Sequence, residues 1–114
     1  MRLMLHGKIH RAKVTQVNVN YEGSITIDKK LMDAADIFQY EAVHVLNVNT
    51  GARIETYAIE GILGVGEIVL NGPAARMFAR DDIVMILTYH RVPNSEALLN
   101  KPKIVYVDDN NNIK

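Results

Sequence analysis

Cysteine is absent from the 114 residues, which removes disulfide staples, thiolate metal sites and a cysteine nucleophile together. An excess of one charge is lacking too. The 13 Lys and Arg are balanced by 13 Asp and Glu, for a formal net charge of zero, so the chain exerts no long-range pull on phosphate backbones or anionic lipid. Neither nucleic acid nor a membrane is an expected partner. No run approaches the roughly 20 apolar residues of a spanning helix, and the start Met1-Arg2-Leu3-Met4-Leu5-His6 is too broken for a signal-peptide core. A soluble cytoplasmic protein is the simplest expectation. Without repeats, low-complexity linkers or a composition break, the length suits a single domain over residues 1–114. A chain of this size buries only roughly two thirds of its unfolded surface, so association with copies of itself would add useful burial.

Familiar ligand motifs are missing as well. Gly61, Gly64 and Gly66 form neither G-x-G-x-x-G nor a P-loop string and precede no long crossover helix, which argues for a mobile hairpin loop and against a nucleotide. His6, His10, His44 and His90 lack metal-ligand spacing. In a strand, His6 and His10 stand about 13 Å apart, beyond a shared coordination sphere, so no metal is expected. Asp81-Asp82 suits capping or solvated roles better than paired acid–base work.

The chain does contain many short β-branched segments punctuated by Gly, Asn, Asp and Pro, the pattern of strands. Val17, Val19 and Tyr21 alternate with polar residues, as do Ile25 and Ile27, and Glu22-Gly23-Ser24 interrupts the two runs. Asp28 is placed to cap a short helix ending near Asp36, with Leu31, Ala34 and Ala35 on one face. Residues 42–48 and 53–59 predict a hairpin about Asn49-Thr50-Gly51. Residues 67–70 predict a strand, Pro73 opens a short helix to Phe78, and 83–89 is a continuously apolar, buried strand. One or two helical turns follow over 93–99, then a strand over 104–107 and a polar, frayed tail from Asp108 to Asn112. The expected fold is mostly β, a compact barrel with short peripheral helices.

Within that frame, Tyr21-Glu22-Gly23-Ser24-Ile25-Thr26-Ile27-Asp28 resembles the self-processing site of the aspartate 1-decarboxylase family. Lys8-Ile9-His10-Arg11, the run Asn49 to Tyr57, Asn71-Gly72-Pro73-Ala74-Ala75-Arg76 and Lys101-Pro102-Lys103 match in the same order across essentially the whole chain. Taken singly, Ser24 reads as a turn serine, Arg53 as a surface ion-pair residue, Tyr57 as a packed amphipathic side chain and Lys8 as a solvated cation. The set in register is far more specific than any member.

The resemblance implies a double-psi β-barrel, a homotetramer with active sites between neighbouring subunits, and self-cleavage into 1–23 and 24–114. In this scheme the Ser24 hydroxyl attacks the Gly23 carbonyl. Glycine suits the step, having no Cβ to obstruct the approach, and proximity substitutes for a strong nucleophile. The amide becomes an ester, elimination releases a chain ending at Gly23, and hydrolysis of the dehydroalanine leaves a pyruvoyl group with loss of ammonia. That covalent cofactor plays the part of pyridoxal phosphate, forming a Schiff base with L-aspartate and accepting its electrons as carbon dioxide leaves. The product is β-alanine, for pantothenate biosynthesis.

Residue by residue, the resemblance assigns Arg53 to anchoring substrate, through the two parallel bonds a guanidinium offers a carboxylate. It gives Lys8 as a second cation, His10 and Asn71 as support, and Tyr57 as proton donor, since a phenol holds its proton at neutral pH. Thr56 matches a residue of both processing and substrate contact, and Gly72, Pro73 and Ala74 match the substrate-contacting turn, whose N–H groups suit an oxyanion. Pro73 brings no such donor where relatives resemble Gly-Ala-Ala. Leu46 replaces a bulkier aromatic, and Asp81 stands where relatives tend to have Gly. In a regular strand Thr56 points away from Arg53 and Tyr57, so either the strand bulges there or Thr56 serves a site across a subunit boundary. Maturation alone or with a partner is open. The competing reading is an uncleaved β-barrel binding or regulatory module without catalysis.

Overall fold

A computed structural model describes all 114 residues. The chain forms β1 (Arg2–Lys13), β2 (Gln16–Asn18), β3 (Ser24–Asp28), helix α1 (Lys29–Ala35), β4 (Ala42–Asn47), β5 (Arg53–Gly61), β6 (Ile68–Asn71), β7 (Ile83–Val92) and β8 (Lys103–Tyr106), with 3-10 turns at Pro73–Met77 and Asn94–Leu99. The mostly-β architecture with short peripheral helices is as expected. The strands make one sheet in the order β2-β6-β3-β5-β4-β7-β1-β8. Pairs β1/β8, β2/β6 and β3/β5 are parallel and the others antiparallel. No helix is long and apolar enough to cross a membrane.

Period-two alternation sends one set of side chains inward. Ile9, Ile86, Val45 and Ile54 stand in register across β1, β7, β4 and β5, and the first three are fully buried. Ile25 and Ile27 of β3, with Ile68 and Leu70 of β6, extend the same cluster, and α1 closes it with Leu31, Met32 and Ala35. Burying each large aliphatic side chain contributes about 1.5–3 kcal/mol. The Asp28 side chain caps α1 by accepting from Lys30 N, and Asp36 ends it in the left-handed region.

Several expectations are corrected. β2 stops at Asn18 instead of running to Tyr21, because the Asn18 side chain accepts from Asn20 N at 3.3 Å and its carbonyl takes Gly72 N at 2.7 Å; such side-chain turns compete with a ladder. The segment after Gly72 is a 3-10 turn, Ala75 N donating to Gly72 O. β7 is not buried on both faces but alternates between buried and half-buried, with Met85, Leu87 and Tyr89 on its more open side. The glycine-rich loop is tied down: Gly64 N and Gly66 N donate to the Asp28 carboxylate at 2.9 and 2.7 Å. The polar tail is ordered as well. Asn111 is buried, its amide donating to Lys13 O and Gly66 O and its Oδ1 accepting from Lys13 N. Asp82 takes a capping role, accepting from Ala79 N, and Asp81 adopts φ 74°, the backbone a glycine would find easiest.

Candidate active site

On the side of the sheet away from the core, four neighbouring strands present a mostly polar floor. The register pairs Gln16 with Val69 and Asn18 with Asn71 across β2/β6, then Asn71 with Ser24 and Val69 with Thr26 across β6/β3. Across β3/β5 Ile25 lies beside Ala58 and Thr26 beside Ile59, so the preceding step of the ladder sets Ser24 beside Tyr57. These side chains line a cleft of about 520 Å³ whose walls include Tyr21, Glu22, Gln39, Tyr40 and Glu67. Ser24 and Tyr57 are thereby brought to one site.

Ser24 is 2% exposed. Its Oγ accepts a hydrogen bond from Asn71 Nδ2 at 3.0 Å, and the same amide nitrogen donates to Thr26 Oγ1 at 3.1 Å. Both amide hydrogens are thus committed, which fixes the Asn71 side chain against position 24. Beside it, Gly72 has φ 82°, and a Cβ there would come within 2.6 Å of Gly23 Cα and 2.7 Å of Gly23 N. Only glycine permits that approach, so the segment before Ser24 is packed directly on the turn after β6. Gly72 N already donates to Asn18 O, which takes that N–H out of the set of oxyanion donors in the uncut chain. Pro73 sits at the first position of its 3-10 turn, where its missing N–H costs nothing.

The remaining candidates lie elsewhere. Arg53 opens β5 on the same face as Tyr57, about 13 Å along the strand; its Nη2 contacts His44 Nδ1 and Tyr89 Oη, each at 3.2 Å. Lys8 on β1 pairs with Leu87 and Ile104. His10 belongs to a different cleft with Arg11, Tyr106 and Asp108; desolvation first, then the Lys8 and Arg11 charges, holds its imidazole below the usual histidine range. Thr56 pairs with Val43 in an unbroken register from Ala42/Tyr57 to Leu46/Arg53. No bulge turns it toward Tyr57. The cleft at Ser24 is therefore lined by two carboxylates, Glu22 and Glu67, and by no Lys or Arg.

The sequence profile described as Aspartate decarboxylase matches residues 1–114. The chain belongs to the aspartate decarboxylase family. Aspartate 1-decarboxylase of Thermoanaerobacter pseudethanolicus is 54% identical over 110 residues, covering 96% of this chain and 94% of the relative. That of Dehalococcoides mccartyi is 54% identical over 110 residues, 96% of this chain and 89% of the relative. The Syntrophomonas wolfei protein of the same name is 54% identical over 114 residues, 100% of this chain and 97% of the relative. Among solved structures, the rationally designed protein mkDPBB_sym_86 superposes with a TM-score of 0.51 over 68% of this chain and 90% of its own, at 14% identity, a likeness of fold alone.

A pyruvoyl group of the kind this family membership suggests fits position 24. A carbonyl oxygen there would keep an acceptor in front of Asn71 Nδ2 and stand on the floor of the cleft. Sequence reasoning missed Thr26, Asn18, Gln39 and Tyr40. Strand alternation puts Thr26 on the Ser24 face, and that signal was there to use. Nothing local to Gln39 or Tyr40 marks them, because the loop after α1 carries them to the cleft.

Proposed function

We propose that this chain is made as a precursor, a single domain that cleaves itself between Gly23 and Ser24, and that the resulting enzyme, a carbon–carbon lyase, converts L-aspartate to β-alanine and carbon dioxide for pantothenate biosynthesis. The observation that carries the reading is Ser24, buried at the floor of a cleft with the Asn71 amide aimed at its Oγ and Tyr57 on the same floor. The pyruvoyl group supplies a covalent electron sink for the pair left on the α-carbon when carbon dioxide departs.

The chain's own residues do the rest. Asn71 donates to Ser24 Oγ, orienting the hydroxyl before cleavage, and its locked amide faces whatever oxygen occupies position 24 afterwards. In processing, the Oγ–C bond to Gly23 forms as the Gly23–Ser24 amide breaks, leaving the nitrogen as an amine. Close packing of Gly72 on Gly23 holds the scissile segment in place, so that proximity does the work. Tyr57 presents a phenolic proton on the Ser24 face for delivery to the α-carbon.

A dicarboxylate cannot be held by a cleft with two acids and no cation, so Arg53 and Lys8 act from a neighbouring chain, with His10 beside Lys8. Thr56, on the inward face of β5 with Ile54 and Ala58, falls beside Gly23 when the β3/β5 ladder is continued past Ser24, and serves processing there within its own chain. Ala74, next to the turn that meets Gly23, is the substrate-facing residue retained from the Gly72-Pro73-Ala74 segment. The assembly is a homotetramer of double-psi β-barrels, a topology supported by the parallel β1/β8, β2/β6 and β3/β5 pairs and by the superposition on the designed mkDPBB_sym_86 protein.

Intact-mass analysis tests the proposal. The mature pool should contain residues 1–23 and a 24–114 fragment with a blocked start, together with β-alanine formation from L-aspartate. Ser24→Ala should abolish both. Persistent full-length chain that nonetheless decarboxylates aspartate would sink the reading.

A further inference from the structure

Arg53 is held in its pose by two side chains that no role in the reaction accounts for. Its Nη2 lies 3.2 Å from His44 Nδ1 and 3.2 Å from Tyr89 Oη. The His44 and Tyr89 rings meet edge to face at 5.1 Å between centroids, and His44 Nε2 stands 3.5 Å from Glu55 Oε2. Three adjacent strands supply the group: His44 from β4, Arg53 and Glu55 from β5, Tyr89 from β7.

We propose that His44 and Tyr89 are positioning residues that orient Arg53 for the substrate carboxylate, and that His44 makes aspartate affinity dependent on pH. The inference rests on the anchoring role given to Arg53 above. A guanidinium donates only and stays charged. His44 Nδ1 must therefore present a lone pair, which puts the neutral imidazole's proton on Nε2, facing Glu55. Nη2 spends its hydrogens on His44 and Tyr89, leaving those of Nη1 and Nε for substrate. When His44 gains a second proton, Nδ1 becomes a donor. Two donors and two like charges then face each other, while Glu55 draws the imidazolium away from Arg53. The charged and titratable groups facing His44 are Arg53 and Glu55 from β5 and Tyr89 from β7; its direct partner on β7, Leu87, is apolar, with Lys8 one strand further on. Acidification thus frees Arg53 and weakens its hold on substrate.

The test is a pH series of KM and kcat for L-aspartate on the matured enzyme, from about pH 8 to about pH 5.5, spanning the range in which histidines commonly titrate. Wild type should show KM rising roughly fivefold on acidification, as one hydrogen bond to the guanidinium is lost, with a smaller change in kcat. His44→Asn keeps an acceptor near the Nδ1 position and should keep the low KM while flattening the acid rise. His44→Leu should show a raised KM at every pH, and Tyr89→Phe a KM raised by a few-fold with the acid limb intact. A His44→Leu profile superimposable on wild type would overturn the inference. Arg53→Ala separates the two levels: an unchanged KM removes the anchor itself, whereas a raised KM with His44 variants like wild type removes only the role of His44. Self-cleavage reports that each variant folds, and Tyr89→Phe, the least disruptive change, tests the contact independently: a KM equal to wild type there refutes its role.

Discussion

Tyr40 adopts φ 71°, a backbone that costs an ordinary residue roughly 1–2 kcal/mol and that bulky side chains rarely accept. Its N–H donates to Ala58 O at 2.7 Å while Ala58 N donates to Glu41 O at 3.0 Å, so the residue after Tyr57 is bracketed by the loop that carries Tyr40. The consequence is a Tyr40 ring 6.2 Å from the Tyr57 ring, walling the cleft that holds Ser24. Strain kept at a functional site trades stability for placement. Tyr40→Asn, which tolerates this backbone, should raise the unfolding free energy by about 1 kcal/mol while lowering kcat, since Tyr57 loses its neighbour. Thermal melts alongside aspartate turnover check both halves, and a variant less stable than wild type defeats the strain argument. At this scale Ser24 and Tyr57 were legible because one string and one strand carry them. Tyr40 was not, because a positive φ on a tyrosine leaves no trace in the pattern of apolar and polar residues.

Between elements, Asp28 is the joint that turns local legibility into tertiary order. Its capping of α1 could be read from the sequence, and α1 duly starts at Lys29 and ends at Ala35. What the sequence concealed is that the same carboxylate, 2% exposed, also accepts from Gly64 N and Gly66 N. A loop expected to be mobile is thereby fastened to the end of the strand that begins at Ser24. Glycine spacing looks the same in a free loop and in one folded around an anion; only the position of the carboxylate distinguishes them. Asp28→Asn turns one acceptor oxygen into a donor amide, opposing either Gly66 N–H or the pair from Lys30 and Gly64. The expected loss is about 2–3 kcal/mol, read as a lower denaturant midpoint with unchanged slope. Asp28→Ala should cost at least as much, since cap and loop bonds go together, and a destabilisation below about 1 kcal/mol, the worth of the cap alone, would mean the loop bonds contribute nothing. The tail was misread for a related reason: a run of Asp and Asn signals solvent unless one amide, here Asn111, reaches back to Lys13 and Gly66.

For the whole molecule, the distribution of the candidate residues carries the most weight. One chain places Ser24, Asn71 and Tyr57 at a cleft without a cation, while Arg53 and Lys8 stand further along the sheet. Large apolar side chains stay exposed, among them Phe38 at 71%, Ile62 at 69%, Leu63 at 61% and Leu98 at 100%, surface that association with further copies of the chain would bury. An electrophile on one chain and its substrate anchor on the next would reconcile the two observations, and two variants, assayed at aspartate well below saturation where each alone turns over little, can test that division of labour. Ser24→Ala lacks the electrophile but keeps Arg53; Arg53→Ala keeps the electrophile but lacks the anchor. Produced together in equal amounts and assembled at random, they should recover roughly a quarter of wild-type turnover, since a mixed oligomer completes a site only where an intact Ser24 meets an intact Arg53. Produced separately and mixed after assembly, they should recover little until the chains exchange. If every site were built from one chain, no mixture would recover activity, and Arg53 would have to reach Ser24 along its own sheet, across the length of β5 that separates it from Tyr57.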